Sequence, residues 1–523
     1  VALTRWPAVH LLPADLFYLA LTAHGLDVLL VWIIFFEIAL IYFCATVLLN
    51  ARLVLPKVAW LAFWMMLIGA AITNVAVLSG ESSVMFTSYP PMKAAQEFYL
   101  GILLFAVGAL LGCLVFFATI ITAKKEKAYE GSLPLVTFGA MTAAIIAVFT
   151  ILSGAIILIP TWLWSMDLIA HIDTLMYRVI WWGMGHSSQQ INVVAQISIW
   201  YAIAAILFGA KPLSEKVSRG AFLLYILFLQ LASAHHLLVD PGISSEWKIF
   251  NTSYALYLAV LGSMIHGLTV PGAIEAAQRK KGYNKGLFEW LRKAPWSNPV
   301  FSGMALSVVL FGFLGGITGV MMGSEQLNII THNTLYVPGH FHGTVVVGTT
   351  LAFMAMSYWL VPTLWQKELV FPGLAKWQPY LFGLGMGLVS IFMMGAGTLG
   401  VPRRHWDMTF ADATLGYDFP AAANLMMGLN GVAAVIGSIG AAIFILNMVG
   451  TILWGKAKVH APATAAAEEA PAAPSVSGAA TSYGSAGTME VPGTFVLALI
   501  FLASFVLYYF VNWKYLSSVW GLS

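Results

Sequence analysis

The stretch Val337-Pro-Gly-His-Phe-His-Gly343 stands at the start of an apolar run that continues to about residue 363. A run of about 20 apolar residues is long enough to cross a lipid bilayer as an α-helix. Twelve runs of this kind follow one another along the chain, near residues 15–50, 58–79, 97–123, 135–160, 177–209, 218–239, 250–272, 299–323, 339–363, 377–400, 421–452 and 493–513. The predicted fold class is therefore all-α, a polytopic membrane helix bundle with 12 transmembrane helices.

Composition and charge agree with a membrane protein. Of the 523 residues, 60% are hydrophobic and 9% are charged, whereas soluble proteins carry about 25% charged residues. Most of the Lys and Arg residues fall in alternate loops, which places those loops on the cytoplasmic side and the N-terminus outside. A net charge of +3 from dispersed basic residues excludes nucleic acid as a partner.

One segment interrupts the apolar pattern. Residues 459–490 are rich in Ala, Pro, Ser, Gly and Glu, a composition typical of a flexible linker. We therefore divide the chain into a membrane domain (residues 1–458), the linker (459–490) and a last segment (491–523) that holds the final transmembrane helix. The two cysteines, Cys44 and Cys113, stand singly in apolar runs, so the sequence predicts neither a disulfide framework nor a Cys-rich metal site.

Six of the 12 histidines fall in the outer halves of predicted spans, where ionisable groups are costly and are functional candidates. They are His24, His186, His235, His236, His340 and His342. A single such residue is more often a hydrogen-bonded core histidine, but six at one depth favour ligands. On a helix, His340 and His342 point to nearly opposite faces and can serve two haems. His235 and His236 can converge with His186 on one ion, a three-histidine site suited to copper or iron.

Together with the histidines, several short motifs resemble subunit I of the haem-copper oxidase superfamily, closest to its B-type branch. The motifs are Gly185-His186, His235-His236 followed by Asp240-Pro-Gly242, His332-Asn-Thr334 leading into Pro338-Gly-His-Phe-His342, Val401-Pro-Arg-Arg404 and Tyr89-Pro-Pro91. The resemblance implies a respiratory, electron-transporting oxidoreductase of a prokaryotic cytoplasmic (inner) membrane. The family has thirteen spans, and the first is missing here, either because the chain was cut or because another polypeptide supplies it.

The resemblance also implies the cofactors. His24 and His342 would ligate a low-spin haem, expected to be of b type, and His340 a high-spin haem. The three-histidine site would hold a non-haem metal that faces the high-spin iron. Copper is expected there, with iron as the alternative, because no glutamate aligns as a further ligand.

The same resemblance extends to residues that surround the haems. Arg403 and Arg404 look like the pair that binds haem propionates, although an arginine pair in a loop is otherwise a solvated feature. Tyr89 belongs to the same cofactor-binding set. His332 resembles a residue near a propionate or beside a ligand, and a simple loop histidine is its alternative.

One position departs from the oxygen reductases of this family. They carry a redox-active tyrosine four residues after the first metal-binding histidine, and here that position is Gln190, whose amide does not titrate. Another branch places its tyrosine just upstream of the histidine pair, but residues 227–234 contain none. Tyr225 and Tyr201 would each need unusual geometry to replace it.

Without that tyrosine, the sequence favours a reaction with fewer electrons. Reduction of O2 to water takes four electrons and four protons, whereas two NO give N2O and water with two of each. We therefore predict the catalytic subunit of a nitric oxide reductase, with His186, His235, His236, His340 and Gln190 as the catalytic residues. Gln190 would offer its oxygen to a metal or its NH2 to a bound intermediate, or it merely fills the space of the tyrosine.

Three other functions stay open. A B-type cytochrome or quinol oxidase that reduces O2 without the usual tyrosine would keep the fold and the cofactors. A membrane transporter would bind its substrate near the midplane at an internal repeat, but no repeat is found. A haem-bearing assembly or sensor subunit would not need the three-histidine site.

Electrons must come from a partner, because the chain has neither a C-x-x-C-H haem attachment nor the cysteine pair of a dinuclear copper centre. We expect a cupredoxin-like or cytochrome c subunit on the outer face, or quinol. Tyr201, Ser263 and Thr269 partly match the proton-channel residues of B-type oxidases, while His266 is unexpected. Glu37 is either a proton relay or a carboxyl group that is hydrogen-bonded between helices.

Overall fold

The computed structural model describes residues 1–229, 232–410, 414, 417–458 and 491–519. The predicted linker, residues 459–490, lies outside these ranges. The described residues form an all-α bundle, with two isolated β-bridges and no strand among them. The twelve longest helical elements of the described residues, some of which include π-helical turns, are numbered in chain order: α1 Ala14–Thr46, α2 Pro56–Leu78, α3 Gln96–Lys125, α4 Leu135–Ser165, α5 Thr174–Phe208, α6 Glu215–Leu224, α7 Ser245–Lys280, α8 Pro299–Gly323, α9 Tyr336–Leu364, α10 Pro372–Thr398, α11 Ala421–Trp454 and α12 Pro492–Val519.

Among the described residues, 11 of these helices are long and apolar enough to cross a membrane, and the exception is α6. The chain continues from α6 into a π-helical turn, Tyr225–Leu229, and a 3-10 turn, Ala232–His236. The predicted span near residues 218–239 is therefore interrupted rather than one continuous α-helix. The prediction of an all-α membrane bundle is confirmed.

The helices differ widely in how much of their apolar surface is buried by the protein itself. In α5 and α9, 78% of the most apolar segment is buried, whereas the values for α11 and α12 are 33% and 6%. Apolar side chains in a bilayer gain no hydrophobic stabilisation when they are shielded from lipid. The helices α11 and α12 can therefore keep their apolar faces exposed. The two central helices, α5 and α9, carry three of the six outer-half histidines between them.

Two helices lose their regular α-helical spacing next to histidines. In α1, a π-helical segment spans Asp27–Trp32 and begins shortly after His24. In α9, a π-helical segment begins at His342 itself and ends at Thr350. Such segments shift the direction of the following side chains and are frequent at functional sites.

Candidate metal and haem site

The side chains of His186, His235 and His236 meet in one cluster. Their ligand atoms all lie within 4.8 Å of one another, and His186 Nδ1 is 3.0 Å from His236 Nε2. His186 comes from α5, while the other two come from the 3-10 turn after α6. Three imidazoles that converge in this way fit copper or iron, and zinc equally well by donor type.

An ion pair and a ring contact, together named here the clamp, hold the 3-10 turn against α5. The Arg178 side chain of α5 forms an ion pair with Asp240, with Nε 2.7 Å from Oδ2. Burial raises the pKa of Asp240, and the charge of Arg178 opposes this shift. The ring of Trp182, one turn before His186, stacks on His236 at 3.6 Å between centroids and 4° between planes. The histidine pair is thus oriented by Arg178, Trp182 and Asp240, of which only Asp240 belongs to a motif that was recognised in the sequence.

Gln190 lies directly beside His186. Its side-chain nitrogen is 2.6 Å from His186 Nε2, and the residue is 8% exposed. The other ring nitrogen, Nδ1, is the one that faces His236. A neutral imidazole that binds a metal through Nδ1 carries its hydrogen on Nε2. In the structure the amide nitrogen of Gln190 faces Nε2, and rotation of the amide by 180° would instead bring its oxygen to accept this hydrogen.

His24 and His342 face each other across α1 and α9. Their rings are 6.4 Å apart between centroids and 19° from parallel. His342 Nδ1 is 2.6 Å from the Pro338 carbonyl oxygen, so it donates there and leaves Nε2 for a metal. The gap fits an iron between two imidazole nitrogens at about 2.0 Å each, the length known for imidazole bonds to zinc.

His340 points toward a different helix. Its Nδ1 is 2.8 Å from the Thr318 hydroxyl of α8. A Cβ at Gly319 would lie 2.9 Å from His340 Cε1, so glycine is needed for the ring to rest on the backbone of α8. The Thr318 contact leaves Nε2 of His340 as the free ligand atom. The two histidines of α9 therefore face different neighbours, since His342 faces His24 of α1 and His340 faces Thr318 of α8.

Arg403 and Arg404 border a cavity of about 30 Å³ that His235 and His236 also line. Burial and, to a smaller extent, the neighbouring charge of Arg404 lower the pKa of Arg403 to about 9. Neither arginine takes part in the five ion pairs among the described residues. Two partly buried cations without a carboxylate partner fit haem propionates, which guanidinium groups bind through paired hydrogen bonds.

Tyr89 and His332 line the same cavity. The Tyr89 hydroxyl accepts from Trp182 Nε1 at 2.7 Å, and the guanidinium of Arg178 lies 4.7 Å from the centre of its ring. Burial raises the pKa of Tyr89, and nearby arginines oppose the shift. Burial lowers the pKa of His332 to about 4, with Arg403 adding to the effect. His332 is thus a neutral hydrogen-bonding group at pH 7.

Tyr201 and Tyr225, the two tyrosines considered as replacements for the missing tyrosine, form their hydrogen bonds away from the three-histidine cluster. The Tyr201 hydroxyl is 3.0 Å from His266 Nδ1 and 3.1 Å from the Ser218 hydroxyl. The Tyr225 hydroxyl is 2.7 Å from the Ser263 hydroxyl. Tyr201 lies about four turns, roughly 22 Å, further along α5 than His186. These residues form a separate polar cluster, named here the inner cluster, about four helical turns along α5 from the three-histidine cluster.

Comparison with known proteins agrees with this geometry. The family model described as Cytochrome C and Quinol oxidase polypeptide I matches residues 1–439. Cytochrome c oxidase subunit 1 of Thermus thermophilus is 32% identical over 425 residues, 79% of this chain and 73% of that protein. Quinol oxidase subunit 1 of Bacillus subtilis is 22% identical over 404 residues, 73% of this chain and 58% of that protein.

A solved structure extends the comparison to the fold. The chain superimposes with a TM-score of 0.79 on a chain of a heme-copper terminal oxidase dimer that was solved by cryo-EM. The two sequences are 28% identical, and the superposition covers 94% of this chain and 85% of the other.

Proposed function

Because the chain belongs to the family of cytochrome c and quinol oxidase polypeptide I, the haem-copper oxidase subunit I family, we propose that it is the catalytic subunit of a respiratory nitric oxide reductase. The observation that carries the proposal is the contact of 2.6 Å between Gln190 and His186 Nε2. Oxygen reductases that resemble this chain have a redox-active tyrosine at that place. Within the family, we propose that the chain is most similar to the B-type branch. We also propose that it resides in a prokaryotic cytoplasmic membrane.

The proposed reaction joins two NO molecules with two electrons and two protons to give N2O and water. Two haems and a metal would be held by the residues described above: the low-spin haem by His24 and His342, the high-spin haem by His340. The three-histidine site would hold copper, with iron as the alternative. When bound, the high-spin haem iron and the non-haem metal supply redox chemistry and a place for both NO molecules, without need of a third electron source.

The protein residues have distinct tasks in this scheme. With its amide rotated so that the oxygen faces the ring, Gln190 would accept the Nε2 hydrogen of His186 and so fix which ring nitrogen is offered to the metal. The amide NH2 then points away from the ring and can donate to an oxygen atom of the substrate. Trp182 and the pair of Arg178 and Asp240 hold the 3-10 turn in place, which preserves the separation of the reacting groups.

A second candidate function is reduction of O2 to water. It is favoured by relatives that are named cytochrome c oxidase and quinol oxidase. In either case the electron donor would be a cupredoxin-like or cytochrome c subunit on the outer face, or quinol. Membership of the oxidase family removes the reason to consider a transporter.

The deciding experiment uses the purified complex with an artificial electron donor. NO loss and N2O formation are followed anaerobically, and O2 uptake is measured with the same donor. We expect N2O formation at a rate at least about tenfold above O2 uptake, a difference of about 1.4 kcal/mol in activation free energy. Fast O2 uptake with no NO consumption would replace the proposal by the oxygen reductase.

A further inference from the structure

Glu37 is a buried carboxyl group within the membrane-spanning part of α1. It is 7% exposed and lies more than three turns after His24 on the same helix. None of the five ion pairs among the described residues includes it. A lone carboxylate is very costly in a bilayer interior, so the group is held as the neutral acid. A neutral acid at this depth has a proton that it can give away.

One hydrogen bond ties Glu37 to the helix that carries the metal ligand. With its amide oriented to satisfy both neighbours, Asn192 of α5 donates to Glu37 Oε1 at 2.8 Å and to the Ser188 carbonyl oxygen at 3.2 Å. An amide N–H prefers the carbonyl oxygen of a neutral acid to its hydroxyl oxygen, so we assign Oε1 as the carbonyl oxygen and Oε2 as the hydroxyl oxygen. Asn192 stands between one and two turns from His186 and directly after the segment that contains Gln190. The carboxyl group is therefore oriented by the helix of the metal site.

Asn192 belongs to a polar stripe on one face of α5. Ser188, Asn192 and Gln196 are spaced four residues apart, so they share a face. Gln196 is fully buried, and its Oε1 accepts from the Thr349 hydroxyl of α9 at 2.9 Å. Its Nε2 has no hydrogen-bond partner among the described atoms, which marks a position that a water molecule would satisfy. Three polar side chains in the middle of a buried membrane helix are costly without a function.

We propose that Glu37 is the internal proton donor of the metal site and that Asn192 positions it. The O–H bond at Oε2 breaks, and the proton moves to the substrate oxygen that leaves as water. The carboxylate then regains a proton from the cytoplasmic side. Two such transfers match the two protons that are used per N2O formed. The proposal rests on the proposed redox function, but it holds for either NO or O2 as the substrate.

A structural hydrogen bond between α1 and α5 would give the same contact but would keep its proton throughout turnover. Infrared difference spectroscopy of the purified complex, oxidised minus reduced, separates the two cases. We expect a carboxylic acid C=O band that changes with redox state and shifts in D2O. The band should vanish in Glu37→Gln and should shift in Asn192→Leu, because the hydrogen bond to Oε1 is lost.

Glu275 supplies the matched control. It is also a fully buried glutamate, but it pairs with Arg279 at 2.7 Å and accepts from the backbone N–H groups of Gly493 and Thr494. Glu275→Gln should leave the redox-dependent band in place. A band that survives in Glu37→Gln, or that disappears in Glu275→Gln, would overturn the assignment to Glu37.

Proton uptake gives the second readout. We expect at least a tenfold slower uptake on reduction of Glu37→Gln, in line with the contribution of general acids, while the low-spin haem is reduced at the original rate. Unchanged uptake would mean that Glu37 only joins two helices. If Glu37→Gln lacks the normal haem spectrum, Asn192→Leu carries the test through its band shift. A complex that turns over neither NO nor O2 would refute the proposed function, while the infrared band would still decide the role of Glu37.

Discussion

In the outer half of the bundle, the His186 ring contacts His236 on one side and Gln190 on the other. In the inner cluster, by contrast, the His266 ring contacts the Tyr201 hydroxyl. His266 is fully buried and His186 is partly buried, and both have a polar neighbour at hydrogen-bond distance. Only His186 belongs to a group with three convergent ligand atoms. The three-histidine cluster can therefore hold a metal ion, whereas the inner cluster is a group of hydrogen-bonded polar side chains.

This separation bears directly on the choice of substrate. A tyrosine beside the metal could supply an electron and a proton to O2, but the phenols of the inner cluster are held by Ser218, Ser263 and His266. The residue beside the metal site is an amide, which can accept or donate a hydrogen bond but cannot be oxidised in the same way. An amide at this place is in line with the proposed two-electron reduction of NO.

The largest effect is expected from His186→Ala. Loss of one of three ligands should empty the non-haem site and lower turnover by more than about 100-fold, beyond the range seen for residues that only support ligands. Metal analysis and optical spectra of the purified variant measure this, and both haems should remain. His266→Ala is the control from the inner cluster and should keep its full metal content. Retention of the metal in His186→Ala would break the comparison between the two regions.

Gln190→Ala should have the next largest effect. Removing the acceptor for Nε2 of His186 loosens the ring, so we expect a 10- to 100-fold loss of turnover or metal affinity. Gln190→Glu keeps an acceptor oxygen and should lose less. Equal loss in both variants would show that the amide itself, rather than its oxygen, is needed.

Gln190→Tyr tests whether the residue at position 190 selects the substrate, through the ratio of O2 uptake to N2O formation. A phenol beside His186 restores the group that O2 reduction uses, so the ratio of O2 uptake to N2O formation should rise. Both rates are measured on one preparation with one donor. A ratio that stays constant would mean that the residue at position 190 does not select the substrate.

Much of this architecture could be predicted from the sequence because bilayer thickness sets the length of each apolar run. The six histidines were also recognisable, since few polar groups occur at their depth. The interrupted span was not predicted, because a hydropathy pattern cannot show that Ala232–His236 forms a 3-10 turn. That turn brings both histidines of the pair to the same cluster.

The contacts around the candidate ligand histidines could not be predicted from the sequence. Trp182 stacks on His236, and Thr318 contacts His340, although the partners in each pair lie on different elements. Which ring nitrogen a histidine offers depends on these contacts and not on its spacing along the chain. The contact between Asn192 and Glu37 is of the same kind, because it depends on how α1 and α5 pack.

Asp240→Asn tests the clamp on the 3-10 turn and should have a moderate effect. The change removes the charge that faces Arg178 and leaves a partly buried cation without its partner, so the turn should loosen. We expect about tenfold faster release of the non-haem metal to a chelator, at the lower end of the effects of supporting residues. The matched control is Asp167→Asn, which removes the exposed pair with Lys93 and should change little, as exposed ion pairs do. Equal release rates in the two variants would mean that the clamp does not support the site.

The smallest effect is expected from Tyr201→Phe in the inner cluster. The change removes the hydroxyl between His266 and Ser218 but leaves the ring and its packing. Because the proposed two-electron reaction needs no phenol and Glu37 supplies its protons, turnover of NO should fall by less than about threefold, under 1 kcal/mol. Stopped-flow measurement of NO consumption by the reduced complex checks this, with metal content as the control. A loss comparable to that of Gln190→Ala would mean that Tyr201 carries protons or electrons over roughly 22 Å of α5, and the two regions would then act as one site.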